Sequence, residues 1–133
     1  MLKKLIFVLL VPAAFLTSCS DKVDGHWSGS CQNSTYGANA SLEVSFITTG
    51  SSIRGTLILG GDELVGSGPL SGLVSGNSIS FTTPGDNQAF TSIQWNGRVS
   101  GDSISGTYRV EPTAAAAAMG IPVQVGTFLL NKE

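Results

Sequence analysis

Apolar and polar residues alternate along most of this chain. Leu42, Val44 and Phe46 alternate with Glu43 and Ser45; Ile53, Leu57 and Leu59 with Arg54 and Thr56; Ile93, Trp95 and Val99 with Gln94, Asn96 and Arg98. A period of two is strand geometry, because successive side chains of an extended chain point to opposite faces. Gly-containing segments separate the runs, as turns between strands require. An internal repeat identifies the unit: Gly72 to Ser80 matches Gly97 to Ser105 at seven of nine positions. A partial third copy relates Gly50, Ser52, Ile53, Gly55 and Thr56 to Gly101, Ser103, Ile104, Gly106 and Thr107. Gly76-Asn77 and Gly101-Asp102 are dipeptides suited to tight hairpin turns that need positive φ. The unit is therefore a β-hairpin. Hairpins near 42–59, 66–83 and 90–111 give six strands, and 25–31 and 123–131 flank them as a first and an eighth. The chain is expected to be all-β, an up-and-down meander of about eight antiparallel strands. Closure into a barrel would remove the two exposed edges.

The N-terminal apolar residues lack this alternation. Lys3 and Lys4 precede a twelve-residue apolar run, Leu5 to Leu16, interrupted by Pro12. That is too short for a helix needing about 20 residues to cross a bilayer, and it reads as a signal peptide. The run ends in Leu16-Thr17-Ser18-Cys19, which resembles the bacterial lipobox. The resemblance implies cleavage before Cys19, diacylglyceration of its thiol and acylation of the new amino group. With Ser20 rather than Asp after the cysteine, it also implies the outer membrane, facing the periplasm. The alternative is ordinary signal-peptidase cleavage, with Cys19 able to pair with Cys31. The expected organisation is a leader over 1–18, a lipidated tether over 19–24 and a barrel domain over 25–133.

Composition narrows the functions. At 133 residues one domain is the default. A formal charge of −2 gives no basic surface for nucleic acid. Two of the seven basic residues and none of the nine acidic ones lie in the leader, so the chain after residue 18 carries a formal charge of −4. Such a surface is not drawn to an anionic membrane, and anchoring falls to the acyl chains, which hold stably when more than one is attached. Acylation of Cys19 would take it out of reach of a disulfide with Cys31, which is then expected to be buried or to pair between molecules. The single His thins out acid–base and metal chemistry. His26 with Asp21 and Asp24 makes too loose a set for a metal site, and no cofactor is implied. Ser-His-Asp support motifs, phosphate loops, Cys-x-x-Cys pairs and recognisable paired carboxylates are missing from the sequence, which points away from an enzyme. The abundance of Gly, Ser and Thr would suit a flexible linker, but the alternation argues for a fold.

Strand parity carries the most information. If Leu42, Val44, Phe46, Ile53, Ile79, Phe81, Trp95 and Tyr108 point inward, then Glu43, Arg54, Arg98 and Arg109 all point outward. An interior without charge suits a packed core or a cavity for a neutral or apolar ligand. Trp27, Phe46, Phe81, Trp95 and Tyr108 are core residues, and they would line any such cavity. Gly55, Gly97 and Gly106 share the inward parity and either receive aromatic rings or leave space. Cys31 shares the parity of Trp27 and reads as a small buried hydrophobe. Ala114 to Ala118 is either a short helix, with Thr113 as N-cap and Gly120 beyond its end, or an apolar loop.

Gly25-His26-Trp27 is similar to the Gly-x-Trp that opens the first strand of lipocalin-like and avidin-like barrels. The steps Gly55-Thr56, Gly106-Thr107 and Gly126-Thr127 resemble those of avidin strands. The resemblance implies a calycin-type eight-stranded barrel over residues 25–131. Lipocalins also carry an Arg near the last strand that packs over the Trp; the closest basic residue here is Lys132. The further tryptophans of biotin-binding avidins have no match, so biotin is not implied. Two functions are expected. One is a membrane-anchored, non-enzymatic envelope lipoprotein whose barrel binds a small neutral or apolar ligand. The other is a protein-interaction module, such as an inhibitor of an envelope-directed lysozyme or protease, using loops 32–38, 60–64, 83–89 and 112–122. Asn33, Thr35 and Tyr36 in the first loop are groups of a kind used in recognition.

Overall fold

The computed structural model describes residues 23–60, 67–85 and 89–133. The leader, Cys19 and tether residues 20–22 lie outside the described residues, as do parts of loops 60–64 and 83–89. Eight strands follow in chain order: β1 (Gly25–Asn33), β2 (Asn39–Thr49), β3 (Ser52–Leu59), β4 (Gly68–Ser75), β5 (Ser78–Pro84), β6 (Phe90–Ser100), β7 (Ser103–Pro112) and β8 (Gln124–Lys132). One short helix, α1 (Ala114–Ala118), joins β7 to β8. Each strand pairs antiparallel with the next and β1 pairs with β8, so the meander closes into a barrel with no edge strand.

The meander gives the barrel two unlike ends. At one, the hairpin end, two-residue turns close Thr49↔Ser52, Ser75↔Ser78 and Ser100↔Ser103. Each turn opens with a glycine at left-handed φ: Gly50 at 63°, Gly76 at 59° and Gly101 at 60°. Two of these are the tips that the repeat identified. The chain enters and leaves at this same end, through Val23 and Glu133. At the other, the loop end, lie the longer connections 34–38, 60–67, 85–89 and 113–123.

The expected parity is observed. Leu42, Val44, Phe46, Ile53, Leu57, Ile79, Phe81, Ile93, Trp95, Val99, Ile104, Tyr108 and Val110 are buried, while Glu43, Arg54, Arg98 and Arg109 are exposed. Outward positions are mostly Ser and Thr, with scattered exposed Ile47, Ile58, Leu73, Val125 and Leu129. An apolar lumen inside a hydroxyl-lined wall reverses the polarity that a membrane-spanning barrel needs. Phe90 and Ile93 both face inward despite odd spacing, and a register shift between Phe90 and Ser92 accommodates the extra residue.

Rings fill the space beside two inward glycines, Gly97 and Gly126, whereas Gly55 and Gly106 abut the backbone of the neighbouring strand. A Cβ on Gly126 would lie 2.5 Å from Tyr108, and one on Gly97 would lie 3.0 Å from Phe128. The missing side chains thus admit aromatic bulk from neighbouring strands. Helix α1 forms over the alanine run: Ala116 N–H donates to the Thr113 hydroxyl (3.1 Å), and Gly120 follows with φ of 91°.

Several boundaries differ from expectation, β2 for one beginning at Asn39. β1 extends to Asn33 because Asn33 keeps the inward parity and finds a buried partner. Val23 and Asp24 belong to the barrel rather than the tether: Val23 is fully buried, and its carbonyl accepts from Trp27 Nε1 at 2.9 Å. The Asp24 carboxylate accepts from Thr48 N–H (2.7 Å) and from its hydroxyl (2.6 Å). β8 runs one residue past Asn131 and so brings Lys132 onto the inward parity at the hairpin end.

Candidate functional site

Trp27, Phe46, Phe81, Trp95 and Tyr108 come together as one chain of rings through the lumen. Centroid separations are 6.5 Å for Trp27–Phe46, 5.4 Å for Phe46–Phe81, 5.8 Å for Phe81–Trp95 and 4.9 Å for Trp95–Tyr108. Phe128 adds an edge-on contact to Trp95 at 5.4 Å. These are favourable offset and edge-to-face spacings, and they leave the middle of the lumen occupied by side chains. Trp95 Nε1 donates to Thr83 Oγ1 at 3.0 Å, so the indole N–H is satisfied without a ligand.

The hairpin end is sealed. Trp27 lies across it, Val23 packs beside the ring, and the Lys132 ammonium stands 5.7 Å over the indole. Glu133 N–H donates to His26 O and Lys132 N–H to Asp102 O, which ties the C-terminus across the same end. His26 is exposed, its Nδ1 3.0 Å from Ser45 Oγ. Among the described residues no cluster of His, Cys, Asp and Glu could hold a metal.

The lumen opens at the loop end. A cavity of about 20 Å³ lies there, floored by Trp95, Tyr108, Ile93 and Val110 and rimmed by Cys31, Asn33, Asn39 and Gln124. That is room for a single water or methyl group, far below the roughly 300–1,000 Å³ of small-molecule sites. Cys31 is buried in this wall. A larger open groove of about 530 Å³ lies on the outer wall of β4, β5 and β6. It arises because Ser75, Ser78 and Ser80 are short beside Leu73 and Arg98.

Around the mouth the loops are held in place. Asn33 is the pivot: its Nδ2 donates to Gln124 Oε1 at 2.6 Å, and its Oδ1 accepts from the N–H groups of Thr35 (2.9 Å) and Tyr36 (3.0 Å). Thr35 Oγ1 accepts from Val125 N–H at 3.0 Å, and Ser34 N–H donates to Val125 O at 2.8 Å. Loop 34–38 is thereby stitched to β8, with Tyr36 60% exposed at its top. Across the mouth, Thr113 N–H donates to Ala89 O, and Met119 stands 81% exposed after α1. Among the described residues, the connections at this end carry no charged side chain. Of the three residues that the sequence singled out in loop 32–38, Asn33 is the buried pivot, Thr35 is bonded to β8 and Tyr36 is exposed. Gln124 carried no signal in the sequence, because nothing in a period-two pattern marks a polar residue as an inward partner; Met119 falls within the expected loop 112–122, but its exposure could not be read there.

No protein-family model matches the chain, and no curated protein matches it in sequence.

Proposed function

We propose that this protein is a lipid-anchored, non-enzymatic component of a bacterial cell envelope that engages another envelope protein through the loop end of its barrel. The observation that carries this reading is the pairing of a ring-filled lumen with a mouth whose connections carry no charge among their described residues, Asp62, Glu63 and Asp86 lying outside those residues. A pre-ordered loop presenting Tyr36, with an exposed Met119 on the β7–β8 connection, supplies the aromatic and adaptable apolar anchors that protein interfaces favour. Holding Tyr36 in place beforehand reduces the ordering cost of binding. The mouth cavity suits the tip of one partner side chain. An inhibitor of an envelope-directed lysozyme or protease is one protein of this kind.

The anchor rests on Leu16-Thr17-Ser18-Cys19 and its basic, apolar leader, and the calycin-type assignment on Gly25-His26-Trp27 together with the closed eight-stranded meander. A small neutral ligand is the second reading, favoured by the uncharged aromatic floor of the mouth.

Native mass spectrometry of the protein purified from its own cells separates the two. The interaction reading predicts a barrel free of small molecules and a mass shift only when a protein partner is present. A co-purifying small molecule that is lost on Trp95→Ala would instead support a carrier.

A further inference from the structure

We infer that the acylated protein stands upright on the membrane, hairpin end against the bilayer and loop end directed away from it. This rests on the lipid anchor proposed above. Cys19 and Val23 are separated by four peptide units, which span at most about 14 Å even when fully extended. Val23 has no slack to add, being buried with its carbonyl bonded to Trp27, and Asp24 is clamped to Thr48. The attachment point therefore lies at the hairpin end, and a barrel of strands this long is roughly 20–25 Å tall along its axis.

The short reach alone would also permit a barrel lying on its side. The placement of cations decides for the upright pose. Arg109 is ion-paired with Glu111 near the loop end. The other basic residues of the described chain are Arg54, Arg98 and Lys132, and all three lie in the half next to the hairpin end. They sit on β3, β6 and β8, spread around the circumference. Only an upright barrel brings all three to anionic headgroups, which attract basic side chains near the surface. A barrel on its side reaches one or two. Asp24, Asp102 and Glu133 share this end and match its three cations in number, so its net charge does not draw the protein down; the acyl chains hold it and the ring of cations orients it. The tips Gly50-Ser51, Gly76-Asn77 and Gly101-Asp102 are short enough to let the wall approach the headgroups.

The test places the full acylated protein in vesicles of phosphatidylethanolamine and phosphatidylglycerol carrying a headgroup quencher. A fluorophore is attached through a single introduced cysteine at Ser51, Asn77, Tyr36 or Met119. The upright pose predicts several-fold stronger quenching at Ser51 and Asn77 than at Tyr36 and Met119. Equal quenching at the two ends, or stronger quenching at Tyr36 and Met119, overturns it. Flotation separates the underlying reading: unlabelled protein that fails to float with the vesicles defeats the anchor, and the pose with it. The double variant Arg54→Ala, Arg98→Ala should still float but lose most of the contrast between ends. An unchanged contrast overturns the role given to the cations.

Discussion

The Lys132 ammonium lies over the face of the Trp27 indole, 5.7 Å from its centroid. The two residues are cross-strand neighbours where β8 meets β1, so the contact staples the last strand to the first at the closure of the barrel. The stem of Lys132 packs beside Gly25, and its charge remains partly in water.

Replacing Lys132 removes both the cation–π attraction and the cover over Trp27. Lys132→Ala is expected to lower the unfolding free energy by about 1 kcal/mol, with Lys132→Arg close to wild type. Urea titration followed by tryptophan emission measures both.

Gly126 is a site of forbidden volume. A methyl group there meets the Tyr108 ring at 2.5 Å as well as the Gln32 carbonyl. Gly126→Ala should destabilise the barrel by about 1–3 kcal/mol, read as a lower urea midpoint with an unchanged slope.

Much of this architecture was legible in the chain, and the illegible part has physical causes. Gly76-Asn77 and Gly101-Asp102 announced their turns because a tight hairpin needs left-handed φ, and alternation fixed which face of β2, β3 and β6 is buried. Fill could not be read: parity puts Gly97 inside but does not say whether Phe128 occupies the space beside it. The bulge that turns both Phe90 and Ile93 inward breaks the period that would have revealed it. Asn33 and Gln124 lie 91 residues apart, and only the closure of β1 on β8 brings one to the other.

Asn33 holds the mouth together, so Asn33→Ala leaves the Gln124 oxygen and the N–H groups of Thr35 and Tyr36 without their partner. The expected cost is about 1–3 kcal/mol. Hydrogen exchange should accelerate at Thr35 and Tyr36 while remaining slow in β5 and β6.

Asp24 links the entering chain to β2 through two hydrogen bonds to Thr48. Asp24→Ala is expected to cost about 1–3 kcal/mol. It should also loosen Val23 from Trp27, red-shifting the tryptophan emission.

The most direct measurement is photo-crosslinking in living cells, with a photoreactive residue placed in turn at Tyr36, Met119, Ser51 and Asn77 of the full-length protein. An anchored barrel that meets its partner at the loop end gives one discrete protein adduct from Tyr36 and Met119 and none from Ser51 or Asn77. The same adduct from all four positions, or protein adducts from Ser51 and Asn77 alone, would contradict it.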